Sequence, residues 1–169
     1  MKNLSFTVLA VFSLIGSFAQ EKPTYELHAG MVYNFIKYIQ WPNETEDGDF
    51  IVGVMGDDNL FDLLKTRYDG KPKGSKKYVI KKLASAGEAA SCQVVYLGKS
   101  KNKEFEEIKN TTTGKPVLTI TDGNGLGQKG SCINFKVIDG KLKFELNQAT
   151  VGASNLKVSS QLSSMAIVI

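Results

Sequence analysis

The sequence predicts an α/β domain in which a mixed β-sheet is flanked by helices on its faces. Two observations support this fold class. Apolar segments of strand length alternate with helix-like segments over the first two thirds of the chain, and a hairpin signal follows near the C-terminus. Alternation of this kind favours parallel strands joined by helices, while the hairpin adds an antiparallel pair. We therefore expect a single layered domain over residues 20–169, since about 150 residues suffice to bury a core.

A secretory signal peptide is predicted at residues 1–19. The positively charged Lys2 precedes an apolar run from Leu4 to Ile15, and small residues follow up to Ala19, which is the three-part layout of such a signal. An anchored membrane helix is the alternative, but the run has about a dozen residues where roughly 20 are needed to cross a bilayer. We expect cleavage after Ala19 and export of the mature chain.

The first helix of the mature chain is predicted from Thr24 to Ile39. Its apolar residues recur at spacings of three and four, which places them on one face; they are Leu27, Met31, Val32, Phe35, Ile36 and Ile39. Trp41 and Pro42 end the helix, because the residue before a proline is pushed out of the α region.

The middle of the chain is predicted to alternate between strands and helices. A buried strand from Phe50 to Gly56 leads into a helix that Asp57 or Asp58 can cap. Further strands are predicted at residues 78–83, 92–97 and 117–121, and a polar helix at residues 103–110. Together these segments form the α/β part of the domain.

The clearest hairpin joins Ile133–Ile138 to Lys141–Leu146. The intervening Asp139-Gly140 suits a two-residue turn with positive φ. Beyond it, the tail from Ala149 to Met165 shows helical spacing at Val151, Leu156, Leu162 and Met165.

The charge balance argues against nucleic-acid binding. The chain has 21 Lys and Arg residues and 17 Asp and Glu residues, which gives a net charge of +4. Loss of Lys2 with the signal lowers the net charge to +3, which is small for a nucleic-acid-binding protein. A local basic stretch consists of Lys71, Lys73, Lys76, Lys77, Lys81 and Lys82. We expect these lysines to guard a solvated edge strand; binding to an anionic membrane surface or an acidic partner is the alternative.

The chain offers few residues for catalysis. His28 is the single histidine, and we expect it to be a partly buried polar residue of the first helix. A Gly-x-Ser-x-Gly nucleophile elbow is absent, and one His with two Cys gives no recognisable zinc pattern. Gly125 to Gly130 matches the letters of a dinucleotide fingerprint, but a strand pattern follows instead of a helix. We expect a loop there, and no catalytic site, metal or cofactor.

The two cysteines leave two interpretations open. Cys92 and Cys132 each begin a predicted strand, and an even count in an exported chain favours a disulfide. Separately buried thiols are the alternative, because Cys is also a common core residue. A redox enzyme is not expected, since the chain has no Cys-x-x-Cys.

Three separated segments carry a distinctive pattern. They are Met31 to Pro42, Cys92 to Leu97, and Phe144-Glu145-Leu146-Asn147 with Leu156 to Leu162. Together these segments resemble the YfiR-like family of exported bacterial proteins, and the resemblance covers nearly the whole mature chain.

The resemblance implies a small periplasmic α/β domain, often dimeric and without catalytic activity. Its best-known member represses a membrane-bound diguanylate cyclase by binding that enzyme's periplasmic part, which lowers cyclic di-GMP and biofilm formation. The family also accompanies other membrane signalling and transport systems, so a sensor kinase is a further candidate partner. Cys92 lies at the family's mid-chain cysteine position, whereas members with redox-sensitive function carry additional cysteines.

A partner interface is predicted on the first helix and in the tail. Trp and Tyr are enriched in interface hot spots, and the candidate residues are Tyr33, Phe35, Tyr38, Trp41, Leu156 and Leu162. For Trp41, the competing interpretation is that it covers the end of the core. We expect Asn147 to cap the last helix.

Two other functions compete with the repressor. One is a small-molecule-binding or transport accessory protein with an unknown ligand and a pocket near the Gly123 to Gly130 loop. The other is a thiol-dependent enzyme acting through Cys92.

Overall fold

The computed structural model of the protein describes residues 22–42 and 48–169. The predicted signal peptide and its cleavage site lie outside these ranges. None of the helices within them has the length and apolar character that crossing a bilayer requires.

Five α-helices and ten strands are found in the described ranges. The helices are α1 (Lys22–Tyr38), α2 (Asp58–Tyr68), α3 (Phe105–Thr112), α4 (Gln148–Ala153) and α5 (Ser160–Met165). The strands are β1 (Ile39–Gln40), β2 (Gly48–Met55), β3 (Pro72–Lys73), β4 (Lys76–Lys82), β5 (Val94–Leu97), β6 (Leu118–Thr121), β7 (Ile133–Ile138), β8 (Lys141–Leu146), β9 (Lys157–Val158) and β10 (Ile167–Val168). Two 3₁₀ helices, Ala86–Ser91 and Lys99–Glu104, flank β5.

Eight of these strands form one mixed sheet, in the order β10-β8-β7-β6-β5-β2-β4-β3. The central strands from β4 to β7 run parallel, and β3 pairs antiparallel with β4 at one edge. On the other side β8 pairs antiparallel with β7 and parallel with the outermost strand, β10. The predicted α/β class with a mixed sheet is therefore confirmed.

Hydrophobic layers cover both faces of the sheet. Alternate residues of β5 point to opposite faces: Val94 and Tyr96 join one core cluster, while Val95 and Leu97 join the other. The first cluster packs α1, α2, α4 and α5 against the sheet, and the second packs α3 and the 3₁₀ helix Ala86–Ser91. This is the period of two that a sheet with two buried faces requires.

The aromatic end of α1 closes the larger core. Trp41 is 7% exposed and its ring meets Phe50 edge-on at 4.9 Å. Its indole N–H donates to the carbonyl of Gln93 over 3.2 Å, so the polar end of the ring is satisfied. Trp41 therefore covers the end of the core and is not an exposed interface residue.

The hairpin turn and the Asn147 cap are confirmed. Asp139 and Gly140 have φ of +50° and +70°, the positive values that a two-residue turn between β7 and β8 needs. The Asn147 side chain accepts from the backbone N–H of Thr150 over 2.9 Å and caps α4.

The tail from Ala149 to Met165, whose apolar spacing predicts helix, is not one continuous helix. Two six-residue helices replace it, with β9 between them. Asn155 adopts a positive φ of +55° after α4, and Ser159 caps α5 by accepting from Leu162. These local breaks override the apolar spacing, because a cap fixes a new helix start.

The basic stretch lies at one edge of the sheet. Strand β3 is the outermost strand and pairs antiparallel with β4, which carries four of the lysines. The predicted edge position is therefore confirmed, and lysines at such an edge discourage pairing with another chain. Binding of these lysines to an anionic membrane surface or an acidic partner stays a prediction.

Candidate functional site

A cavity of about 670 Å³ opens at the carboxyl ends of the parallel strands. From β2 the chain first crosses to β4 on one side, and then returns to β5 on the other side. The loops that leave β2 and β5 therefore diverge, and in open α/β sheets ligands bind in the crevice at such a switch point. We call this the strand-end cavity. Its lining residues are Tyr25, Leu27, His28, Gly56, Asp57, Asp58, Asn59, Lys99, Ser100, Asp122, Val137, Gly140 and Leu142.

One wall of the strand-end cavity is polar and follows the ends of β2, β5 and β6. Asp122 directly follows β6, and its side chain is 17% exposed. One carboxylate oxygen lies 3.6 Å from His28 Nε2, and the other lies 3.5 Å from Lys99 Nζ. Asp122 therefore lies between the imidazole of His28 and the ammonium group of Lys99.

Asp57 is the N-cap of α2 and also faces the cavity. Its Oδ1 accepts from the backbone N–H of Leu60 over 3.0 Å. Burial raises the pKa of Asp57 above its ordinary value; the hydrogen bond from Leu60 and the proximity of His28 oppose this rise, and the neighbouring Asp122 charge adds to it. Asp57 forms no salt bridge with any residue of the described ranges.

Two glycines let the strand ends approach each other beneath this wall. A Cβ at Gly98 would lie 2.6 Å from the carbonyl oxygen of Gly56, closer than any real contact. Gly56 has a φ of +78°, and its carbonyl accepts from Ser100 Oγ over 2.7 Å. The floor of the strand-end cavity therefore depends on glycine at both positions.

The opposite wall is apolar and comes from α1 and the β7–β8 hairpin. Leu27 is 50% exposed and Val137 is 64% exposed, although both side chains are large and apolar. Leu142 and Tyr25 are half-buried beside them. Apolar side chains with a few placed polar groups are typical of small-molecule pockets.

A buried polar network lies behind the cavity. Glu145 is 2% exposed, and its carboxylate accepts from Asn134 Nδ2 over 2.9 Å and from Lys136 Nζ over 2.8 Å. Burial raises the pKa of Glu145, but the hydrogen bonds from Lys136, Asn134 and Gln128 outweigh burial and leave the pKa below its ordinary value. Glu145 is therefore held as a charged acceptor.

This network fixes the backbone around Asp122. Asn134 Oδ1 accepts from Thr121 Oγ1 over 2.8 Å and from the backbone N–H of Gly123 over 3.2 Å. Thr121 and Gly123 are the two neighbours of Asp122 in the chain. The Phe-Glu-Leu-Asn motif of β8 thus orients one carboxylate of the strand-end cavity.

The glycine-rich segment is a loop between β6 and β7, as expected. Asn147 Nδ2 donates to the carbonyl of Gly127 over 3.0 Å, which holds the loop against β8. The strand-end cavity is lined by Asp122 just before this loop and by none of residues 123–130. The strand-end cavity therefore lies beside the loop, near which a pocket was expected, and a smaller cavity of about 90 Å³ is lined by Gly130 at the end of the loop.

Four of the six predicted interface residues are buried. Phe35 and Leu162 are 1% exposed, Leu156 is 5% exposed, and Trp41 lies in the same core. These side chains pack inside, because their faces of α1 and of the tail turn toward the sheet. Tyr33 remains 39% exposed, and its ring stacks on Tyr68 at 4.9 Å; Tyr38 is half-buried.

Cys92 and Cys132 are separate buried thiols and do not form a disulfide. Both are free, and they lie in different clusters on opposite faces of the sheet. Burial raises the pKa of both thiols, which leaves them protonated at neutral pH. A protonated buried thiol is a poor nucleophile, so nothing in this arrangement favours a thiol enzyme at Cys92.

The acidic lining of the cavity was not predicted as a site. Sequence reasoning assigned Asp57 to capping, which is confirmed, and did not consider Asp122. A signal was nevertheless present: three predicted strands each end in a short polar segment containing glycine, at Gly56-Asp57, Gly98-Lys99 and Asp122-Gly123. Carboxyl ends of parallel strands meet at one edge of a sheet.

The described residues bring together no group of three or more metal-ligating side chains. Asp58, whose side chain is 70% exposed, pairs with Lys82 over 2.7 Å. The helix N-terminus that could hold a phosphate is capped by the carboxylate of Asp57 instead. The charged side chains of the lining are therefore three carboxylates, those of Asp57, Asp58 and Asp122, and one lysine, Lys99.

A family model described as YfiR/HmsC-like matches residues 25–167. This match spans α1 through the start of β10 and includes every element that forms the cavity and the network. The chain belongs to the YfiR/HmsC-like family. Members of this family are regulatory rather than catalytic, are in general periplasmic, and act in cyclic di-GMP signalling together with a membrane partner. Among curated proteins, none matches this chain.

Proposed function

We propose that this chain is a non-catalytic periplasmic binding protein that represses a membrane-bound signalling enzyme, either a diguanylate cyclase or a sensor kinase. The observation that carries the proposal is the YfiR/HmsC-like match over residues 25–167. Repression acts through the periplasmic part of the partner and lowers cyclic di-GMP and biofilm formation. Export by a cleaved signal at residues 1–19 and formation of a homodimer belong to the same proposal.

The surface offered to the partner is the exposed side of α1 and α2. Tyr33 and Tyr68 stack with an angle of 4° between their rings, and Lys37 lies over the Tyr38 ring at 5.7 Å. Large amphipathic rings held by a neighbour lose little side-chain entropy on binding, which suits them to interfaces. Tyr33 and Tyr38 therefore remain the interface candidates.

The test is cross-linked affinity capture of the tagged mature protein from its own cell envelope, with mass spectrometry of the captured membrane proteins. We expect one cyclase or kinase to be enriched, and Tyr33→Ala to weaken its capture. Met165→Ala is the matched control, because Met165 is an apolar residue of α5 with 51% exposure. Recovery of no membrane protein in the presence of a working cross-linker would contradict the proposal. Light scattering on the same purified protein measures the homodimer.

A further inference from the structure

The strand-end cavity has the size of a ligand site. Its volume of about 670 Å³ lies within the range of roughly 300–1,000 Å³ that small-molecule pockets occupy. Its position at the divergence of the β2 and β5 loops is the place where open α/β sheets bind ligands. These two features are independent of the family match.

The charged side chains of the lining determine which ligand charge the cavity favours. Asp122 is already flanked by His28 and Lys99, and Asp58 is paired with Lys82. Asp57 has no cation within salt-bridge distance in the part of the chain that the structure describes. A partly buried carboxylate without such a partner can form a strong charge-assisted hydrogen bond with the cationic group of a ligand.

An anion is disfavoured at the same place. The N-terminus of α2 points into the cavity, but its Leu60 N–H is already bonded to Asp57. A phosphate or carboxylate in the cavity would meet one lysine, Lys99, and three carboxylates, those of Asp57, Asp58 and Asp122, and like charges repel. The lining therefore selects against the anionic ligands that helix N-termini usually hold.

The apolar wall favours a ligand whose uncharged part is apolar. Leu27 and Val137 leave half or more of their surface exposed, and Leu142 continues the wall between them. An apolar chain or ring covering these side chains gains free energy from the area removed from water.

We propose that the strand-end cavity binds a small organic cation, whose charged nitrogen pairs with Asp57 and whose apolar portion packs on Leu27, Val137 and Leu142. This inference does not depend on repression of a membrane partner. Binding is measured on the purified protein alone, so its failure leaves the proposed function in place, and failure of the proposed function leaves the binding result unchanged.

The test uses 2-phenylethylamine as the probe, with 2-phenylethanol and phenylacetate as neutral and anionic counterparts of the same shape. Amide chemical shifts of the labelled mature protein are followed during titration of each compound. We expect the amine to shift the amides of Gly56 to Leu60, Lys99 and Asp122, and to bind tighter than the alcohol by about tenfold or more, the contribution of one charged hydrogen bond. Phenylacetate should bind most weakly.

Two variants separate the charge from the apolar wall. Asp57→Asn keeps a good cap for α2 but removes the charge, so the amine should lose about tenfold or more in affinity while the alcohol is unaffected. Asp62→Asn is the matched control, because Asp62 is an exposed residue of the same helix outside the lining. Val137→Ser alters an exposed position and should weaken the amine and the alcohol alike.

Three results would overturn the proposal. The first is the absence of shifts at the named amides up to about 10 mM amine, ten times a dissociation constant of about 1 mM. The second is equal or tighter binding of phenylacetate. The third is an unchanged affinity for the amine in Asp57→Asn. If that variant fails to fold, the order of the affinities of the wild-type protein for the three compounds decides whether the proposal stands.

Discussion

Replacing Glu145 by Gln tests the polar network that positions the strand-end cavity. The carboxylate accepts on both oxygens, from Asn134 Nδ2 on one and from Lys136 Nζ on the other. A Gln side chain has the same shape, but its NH₂ group replaces one of the two acceptor oxygens. At one of the two contacts, this NH₂ group would therefore face another hydrogen-bond donor. The side chain is 2% exposed, and water cannot compensate.

The size of the effect follows from these contacts. A hydrogen bond to a charged group contributes about 1.5–3 kcal/mol, and a buried donor left without an acceptor costs a similar amount. Lys136 is 48% exposed and regains hydration, which limits the loss. We expect Glu145→Gln to lower the free energy of unfolding by about 2–3 kcal/mol at pH 7, and the melting temperature by roughly 4–12 °C.

The effect should depend on pH with a definite sign. The pKa of Glu145 is lower in the folded protein than its ordinary value, so the folded state favours the charged form. Such a group contributes stability above its unfolded pKa of about 4.3, and the contribution is lost as the pH falls through the folded pKa. The difference between wild type and Glu145→Gln should therefore be full at neutral pH and shrink below about pH 4.

Urea unfolding of both proteins at several pH values measures this difference. Glu106→Gln is the control, because Glu106 pairs with Lys109 over 2.6 Å on the surface of α3 and its side chain is 61% exposed. An exposed pair of this kind contributes about 0.5 kcal/mol or less. The reasoning is refuted if Glu145→Gln costs no more than Glu106→Gln, or if its cost is the same at acid and neutral pH.

The remaining predictions concern the thiols, the packing and the hairpin turn. Alkylation of the denatured, unreduced protein should modify both Cys92 and Cys132, and an intact mass two hydrogens short of the reduced chain would show a disulfide instead. Gly53→Ala should cost about 1–3 kcal/mol in urea unfolding, because its Cβ would lie 2.7 Å from a leucine side chain and 2.9 Å from Cys92 Sγ. Gly152→Ala in α4 is its control, since nothing lies within 4 Å; an equal loss in both would contradict the packing argument. Gly140→Ala should cost about 1–2 kcal/mol because φ is +70°, and an unchanged melting temperature would count against the strained turn.

Much of the fold could be predicted because its signals are local. The 3.6-residue spacing of α1 and the Asp-Gly turn of the β7–β8 hairpin are properties of short segments. The two-residue strands β1, β3, β9 and β10 were missed, since so short a strand exists only through its pairing partner. The tail was misjudged because Ser159 is a cap that interrupts an otherwise periodic apolar pattern.

The site was harder to predict because it depends on strand order. Asp57 and Asp122 are 65 positions apart in the chain and share a cavity only because β2, β5 and β6 are neighbours in the sheet. The exposure of Trp41 was equally undecidable from sequence, since its burial depends on Phe50 and on the carbonyl of Gln93. Local pattern identifies which residues follow a strand, and topology decides which of them meet.

Cellular cyclic di-GMP in a strain that lacks this protein tests the regulatory account most directly. We expect its level to rise on deletion and to return when the full chain is expressed again. A chain without residues 1–19 should fail to restore it, because that form is not exported. An unchanged level in the deletion strain, with a membrane cyclase present and active, would contradict repression of a diguanylate cyclase, the first of the two partners proposed.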